Sequence, residues 1–320
     1  MYLILVSILL FSVDAFSQAT DICEFIKMPS CRGVTRQIRR TSAGSIPSTT
    51  TAMSMNPANV TFDRGLGLDI MAQASNPLLF GLSTGTGKMG GALISGSIEN
   101  SFFGNRAPEE PYAMADRIQG HKQYRNKKIG VALGARLISN KKAGLDIGII
   151  AKRHPEIKKI NPGIGLSGRV WKLSFGVSHY KDDYYIDFRN LTQPNSNLPF
   201  PIKELQEDFT VTTYTVGTRI GDLALDYGVI NTSKIDFYED KTSISIFSAS
   251  YHYNNFLLSG ALRTENSSAP EIKDGIPRDN DEKSSIYTAI QYSVNTHIVL
   301  GIHYNYFLLK EPSLSATFFL

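Results

Sequence analysis

Residues 128–152 read KIGVALGARLISNKKAGLDIGIIAK, and their reading decides the fold. From Lys128 to Ser139 one face carries Ile129, Val131, Leu133, Ala135 and Leu137, and the other Gly130, Ala132, Gly134 and Arg136. After a turn at 140–142 the pattern repeats, with Leu145, Ile147 and Ile149 set against Asp146, Gly148 and Lys152. A period of two with one apolar face and one small or polar face is the signature of a strand, and two such runs around a short polar turn make a hairpin.

The same alternation extends in both directions. Leu223, Leu225, Tyr227 and Val229 oppose Asp222, Ala224, Asp226 and Gly228. Ile286, Ile290 and Tyr292 oppose Ser285, Gln291 and Ser293, and Ile298, Leu300, Ile302 and Tyr304 oppose His297, Gly301, His303 and Asn305. The last residues, SLSATFFL, place Leu314, Ala316, Phe318 and Leu320 on one face, so the chain is expected to end inside a strand. Helical spacing is nearly absent after Leu66. Tight turns alternate with longer polar connections at Gly104–Lys127, Arg153–Asn161, Asp183–Asp208, Ser233–Lys241 and Asn266–Ser284. About fourteen strands result, with the third over 89–103. Even parity, alternating loop lengths and aromatic residues near strand ends point to an all-β, antiparallel transmembrane β-barrel over residues 65–320. A large exported sandwich shares the alternation but explains neither the loop asymmetry nor the terminal strand.

Composition is compatible with this. Mean hydropathy is −0.13 and charged residues make 19% of the chain, since lipid-facing and lumen-facing residues average out in a barrel. A net charge of +4 without a basic block gives nucleic-acid binding no support. Residues 1–19 hold an apolar core from Tyr2 to Val13, with no Lys or Arg before it, and then Ser17-Gln18-Ala19. A secretory signal peptide is expected, cleaved after Ala19 or after Ala15. Residues 20–64 then form an N-terminal periplasmic or plugging segment. Export places Cys23 and Cys31 in an oxidising compartment, where a short disulfide loop is expected.

Site chemistry is sparse. Gly81–Gly91, GLSTGTGKMGG, lacks the phosphate-loop pattern because Leu82 and Met89 stand where Gly and Ser or Thr are needed, so a glycine-rich hairpin is expected. The histidines show no metal spacing; His297 and His303 share a face about 20 Å apart. No catalytic constellation, metal site or cofactor site is marked, and enzyme activity is not expected. Charges of both signs fall on the polar faces: Asp69, Arg136, Asp146, Lys152, Arg169, Arg219, Asp222 and Asp226. They either fill the lumen with salt bridges or line a path for a solute. The apolar loop 196–207, SNLPFPIKELQE, either packs on its neighbours or covers the mouth.

Ahead of the first strand stands Asn56-Pro57-Ala58, a stiff step in a Ser/Thr-rich stretch. An exported chain with a non-barrel N-terminal segment, an Asn-Pro-Ala step near its end and about fourteen strands resembles the long-chain fatty acid transporter (FadL-like) family of outer-membrane barrels. The resemblance implies an outer-membrane location in a Gram-negative type envelope. It also implies an N-terminal hatch inside the barrel with Asn56, Pro57 and Ala58 as its motif, and passive uptake of hydrophobic compounds such as fatty acids. The family opens its wall sideways at a kinked strand, and ISGSIENSFFG at Ile94–Gly104 interrupts the alternation in the matching place. The partners this implies are membrane lipids, the barrel-assembly machinery and a hydrophobic small-molecule ligand. A non-transporting structural or secretion-associated envelope barrel and a small-solute porin are the alternatives. Proline fixes φ, lacks an amide donor and holds Asn56 out of helix, so the step suits a turn between plug and wall.

Overall fold

The computed structural model describes residues 56–62, 64–73, 76–95, 129–140, 143–154, 158–187, 204–233, 242–267, 271–273, 276–278, 283–305 and 312–319. Its strands are β1 (Arg64–Gln73), β2 (Asn76–Thr86), β3 (Met89–Ser95), β4 (Ile129–Ser139), β5 (Ala143–His154), β6 (Lys159–Val170), β7 (Leu173–Asp187) and β8 (Glu204–Ile220). They continue with β9 (Leu223–Thr232), β10 (Thr242–Tyr253), β11 (Phe256–Ser267), β12 (Glu271–Lys273), β13 (Ile276–Arg278), β14 (Lys283–Ser293), β15 (Ile298–Asn305) and β16 (Pro312–Phe319). Fourteen of them close a barrel in which each strand pairs with its sequence neighbours; β16 returns to pair with β1, and β12–β13 form a separate two-stranded sheet. Every barrel pairing is antiparallel, and closure leaves no sheet edge to be satisfied in hydrocarbon. The expected all-β barrel of about fourteen strands is what the chain forms.

Burial separates the two faces. Leu133, Ile149, Ile164, Val177, Val216, Leu262, Ile290 and Ile302 are large, apolar and exposed on the outside. Asp69, Asp146, Ser167, Ser178, Asp226, Ser248, Gln291 and Thr317 are polar and buried on the inside. A soluble protein would hide the first set and expose the second. The inversion suits a wall with hydrocarbon outside and a polar interior. The register enforces it, because a slip of one residue would exchange the two sets. The alternation read from the sequence thus gave the correct face for its runs, apart from a bulge between Arg136 and Ile138 and the turn residue Asp222.

Several boundaries differ from the sequence expectation. Arg153–Asn161 and Asp183–Asp208 were expected as loops, yet β5 runs to His154, β6 starts at Lys159, β7 runs to Asp187 and β8 starts at Glu204. Backbone ladders such as Asp187 opposite Glu204 continue where the side chains have turned polar, so hydropathy alone ends these strands too early. β12 and β13 lie within the expected loop Asn266–Ser284. The third strand is described to Ser95, and the interruption over 96–104 lies outside the described residues.

Six tight connections gather at one end: β2–β3, β4–β5, β6–β7, β8–β9, β10–β11 and β14–β15. The start of β1 and the end of β16 lie at that end too, because Gly67 pairs with Phe319. GLSTGTGKMGG is the β2–β3 hairpin, in which the Thr86 hydroxyl accepts from the amides of Lys88 and Met89.

Candidate functional site: the barrel lumen

The Asn-Pro-Ala step opens a short 3-10 helix, Pro57–Phe62, that lies inside the barrel. Asn56, Ala58, Asn59, Val60 and Thr61 are all at most 2% exposed. The three residues of the motif have separable duties. Asn56 caps the helix, its Oδ1 accepting from the Ala58 amide at 3.1 Å. Pro57 fills the first helical position, where a missing amide costs nothing and φ is already set. The carbonyl of Ala58 accepts from the Thr61 hydroxyl at 3.2 Å. Asn56 Nδ2 then donates 2.9 Å to the carbonyl of Leu166, tying the capped turn to β6.

The wall beneath the helix is made of glycine. Gly65 pairs with Gly85, Gly85 with Gly90, Gly90 with Gly134, Gly134 with Gly148 and Gly148 with Gly165, so six adjacent strands each place a glycine in one cross-strand row. A β-carbon on Gly134 would stand 2.7 Å from Val60 Cγ2, and one on Gly165 would stand 2.7 Å from Pro57 Cδ. One on Gly90 would run into the Val60 carbonyl, and one on Gly148 into the Pro57 peptide. On β7, Gly176 continues the seat two residues out of line, its absent β-carbon 2.8 Å from Asn56 Nδ2. Glycine within a strand marks close approach of another backbone, and here that backbone is the chain's own helix.

Next to the helix, on the short-turn side, sits a charge cluster. Arg136 Nε is 2.8 Å from Asp146 Oδ1, and Arg169 Nη2 is 3.5 Å from Asp146 Oδ2. The Asp146 side chain is fully buried. Lys152, six residues further along β5, packs its ammonium 3.9 Å from the centre of the Tyr180 ring. Asp226 faces inward from β9 and is buried, and Asp69 accepts from the Thr317 hydroxyl at 2.9 Å. Arg219 is the next-to-last residue of β8, at the short-turn rim, with Nε donating to the Gly221 carbonyl at 3.3 Å. Asp222 corrects the sequence expectation: it occupies the β8–β9 turn and is exposed, because the strand ends at Ile220 and its alternation stops there.

The far half of the lumen is different in character. Ile244, Ile246, Ala261 and Tyr287 form a buried cluster on the inner face of β10, β11 and β14, with Ile230 of β9 packed against it. Phe209 and Val211 of β8 are buried on the same face. On the adjoining strands β15 and β16, His303 Nε2 lies 2.8 Å from the Ser315 hydroxyl. Among the described residues no group of His, Cys, Asp or Glu could hold a metal ion.

Sequence reading named the motif and most of the charges but missed the glycine row, the inner apolar cluster and the His303–Ser315 contact. All three depend on register between strands, although the glycines were visible as small residues on polar faces. Cys23, Cys31 and loop residues 196–203 lie outside the described residues.

No family model matches the chain, and no curated protein matches it by sequence. Solved structures to which the chain is similar include the Pseudomonas putida toluene transporter TodX, at 11% identity over 88% of this chain and 96% of that one, with a TM-score of 0.42. The monoaromatic hydrocarbon channel CymD is 12% identical over 87% of this chain and 94% of its own, with a TM-score of 0.42. OmpT, an outer membrane protein of Vibrio cholerae, is 8% identical over 80% and 97%, with a TM-score of 0.39.

Proposed function

We propose that the protein is an outer-membrane barrel through which small hydrophobic compounds diffuse passively, with the short turns on the periplasmic side. It acts as a conduit rather than an enzyme, and its partners are membrane lipids, the assembly machinery that inserts barrels, and the hydrophobic solute. The observation that carries this reading is the apolar cluster Ile230, Ile244, Ile246, Ala261 and Tyr287 on the inner face of a barrel whose outer face is already apolar. Ile244, Ile246, Ala261 and Tyr287 are buried, so the inner wall here is apolar and shielded from water; such a lining suits a hydrophobic solute better than a hydrated ion. The helix at Pro57–Phe62 fits the same reading, since it lies against the inner wall and narrows the path for bulk ion flow.

Two measurements on the full chain test this. In planar bilayers the protein should conduct ions poorly. In cells whose own uptake barrels are deleted, its expression should speed entry of a radiolabelled fatty acid or of naphthalene several-fold. A steady porin-like current overturns the reading in favour of a small-solute pore. Unchanged entry of both probes overturns it in favour of a structural barrel.

A further inference from the structure

Four of the tight turns at the short-turn end use a left-handed backbone position, and three of them fill it with a residue that accepts it readily. Gly87 (φ 80°), Gly221 (φ 59°) and Asn254 (φ 52°) serve the β2–β3, β8–β9 and β10–β11 turns, as glycine and asparagine ordinarily do. In the β6–β7 turn the residue is Trp171, at φ 58°. A bulky side chain there costs about 1–2 kcal/mol. Among the described residues nothing offsets it, and Trp171 is 80% exposed. The turn is nevertheless held in place: the Lys172 carbonyl accepts from the Arg219 amide at 3.4 Å and from the Thr218 hydroxyl at 3.3 Å. A bulky residue kept at a strained position points to use.

Its depth indicates which use. Val170 and Leu173, which flank the turn, are outward, apolar and more than half exposed. The neighbouring turns are framed in the same way, by Ile220 and Leu223 and by Tyr253 and Phe256. At these three turns the hydrocarbon-facing band therefore reaches the last residue of the strand. A turn residue lies about 3.3 Å beyond it, at the level where lipid headgroups begin. An indole is favoured at that level by its apolar ring and its N–H donor. Lys172 stands beside it, exposed, with an ammonium suited to phosphate.

We propose that Trp171 is an interfacial anchor, seated with Lys172 in the phospholipid headgroup layer on the short-turn side, where it fixes the depth of the β6–β7 hairpin. Among the described residues the strained indole has no partner, because its partner is the lipid. This requires only that the barrel span a bilayer and is independent of what passes through it.

Trp171 is the only tryptophan in the chain, so the intrinsic fluorescence of the unmodified protein reports on it alone. Reconstituted in phosphatidylcholine and phosphatidylglycerol vesicles, it should emit to the blue of indole in water. Lipids brominated near the glycerol carbonyls should quench it more strongly than lipids brominated near the chain ends. Emission like that of free tryptophan with no quenching by either lipid overturns the proposal and places the tip in water, available to a protein partner. Stronger quenching by the chain-end bromines also overturns it, by placing the indole in hydrocarbon.

Discussion

The Asn56 side-chain amide bonds to the Leu166 carbonyl across 110 positions of sequence, and the same side chain caps its own helix through Oδ1. Both ends of the amide are used, so no other residue replaces it. Asn56→Ala strands the buried Ala58 amide and the part-buried Leu166 carbonyl, and Asn56→Asp keeps the cap but sets a carboxylate oxygen against a carbonyl oxygen. Each loss of a buried hydrogen-bond partner costs about 1–3 kcal/mol. Because the helix contacts the wall without being part of it, that loss falls on helix docking while the barrel survives. Both variants should keep the folded barrel on unheated gels and should show more frequent open events in planar bilayers than the parent protein.

The glycine seat makes a sharper prediction, because its neighbours are backbone. At Gly148 an alanine methyl meets the Pro57 peptide, and at Gly90 it meets the Val60 carbonyl. Neither can be relieved by turning a side chain. Gly148→Ala should therefore dislodge the helix and raise conductance. Gly260→Ala is the control, since its nearest neighbour is the Tyr287 carbonyl at 3.5 Å, an ordinary contact. It should leave conductance unchanged. Equal conductance in the two variants would mean that the glycine row does not seat the helix.

The sequence made the barrel legible because a lipid-facing wall imposes a period of two that a single strand reveals by itself. Ile147 and Ile149 against Asp146 and Gly148 need no partner strand to be read. Boundaries were less legible where β7 and β8 extend past the apolar band, since the ladder continues with polar side chains. Asn56-Pro57-Ala58 was legible as a stiff step, but its seat was not. That seat consists of absent side chains on different strands, and only the register brings Gly90, Gly134, Gly148 and Gly165 into line. Asp222 was misplaced for the converse reason: alternation says nothing about where a strand stops.

The Arg136–Asp146–Arg169 cluster should be intolerant of losing its centre. Asp146 holds two guanidinium groups, at 2.8 Å and 3.5 Å. Asp146→Asn removes the charge that both share and leaves them facing one another. Breaking a buried pair from one side costs about 3–5 kcal/mol, and the partly exposed arginines place this case at the lower end. The urea midpoint of the vesicle-inserted barrel should fall accordingly. The double replacement Arg169→Gln with Asp146→Asn should recover part of the loss, because one of the two stranded cations is gone. No recovery would show that the guanidinium groups are satisfied independently of Asp146.

Ile149 and Lys152 lie three residues apart on β5 and face opposite ways, so they test the register directly. Ile149 is 56% exposed on the outside, near the middle of its strand, whereas Lys152 is 7% exposed inside against the Tyr180 ring. A cation turned toward lipid near mid-depth costs about 2–4 kcal/mol in a membrane barrel. The cation already inside gains about 0.5–2 kcal/mol from its ring contact. Ile149→Arg should therefore block or greatly slow insertion into vesicles. Lys152→Met, which keeps the length and drops the charge, should insert at the parent rate and lose little stability. A register shifted by one residue would reverse the two results, since residue 149 would then face the lumen and residue 152 the lipid.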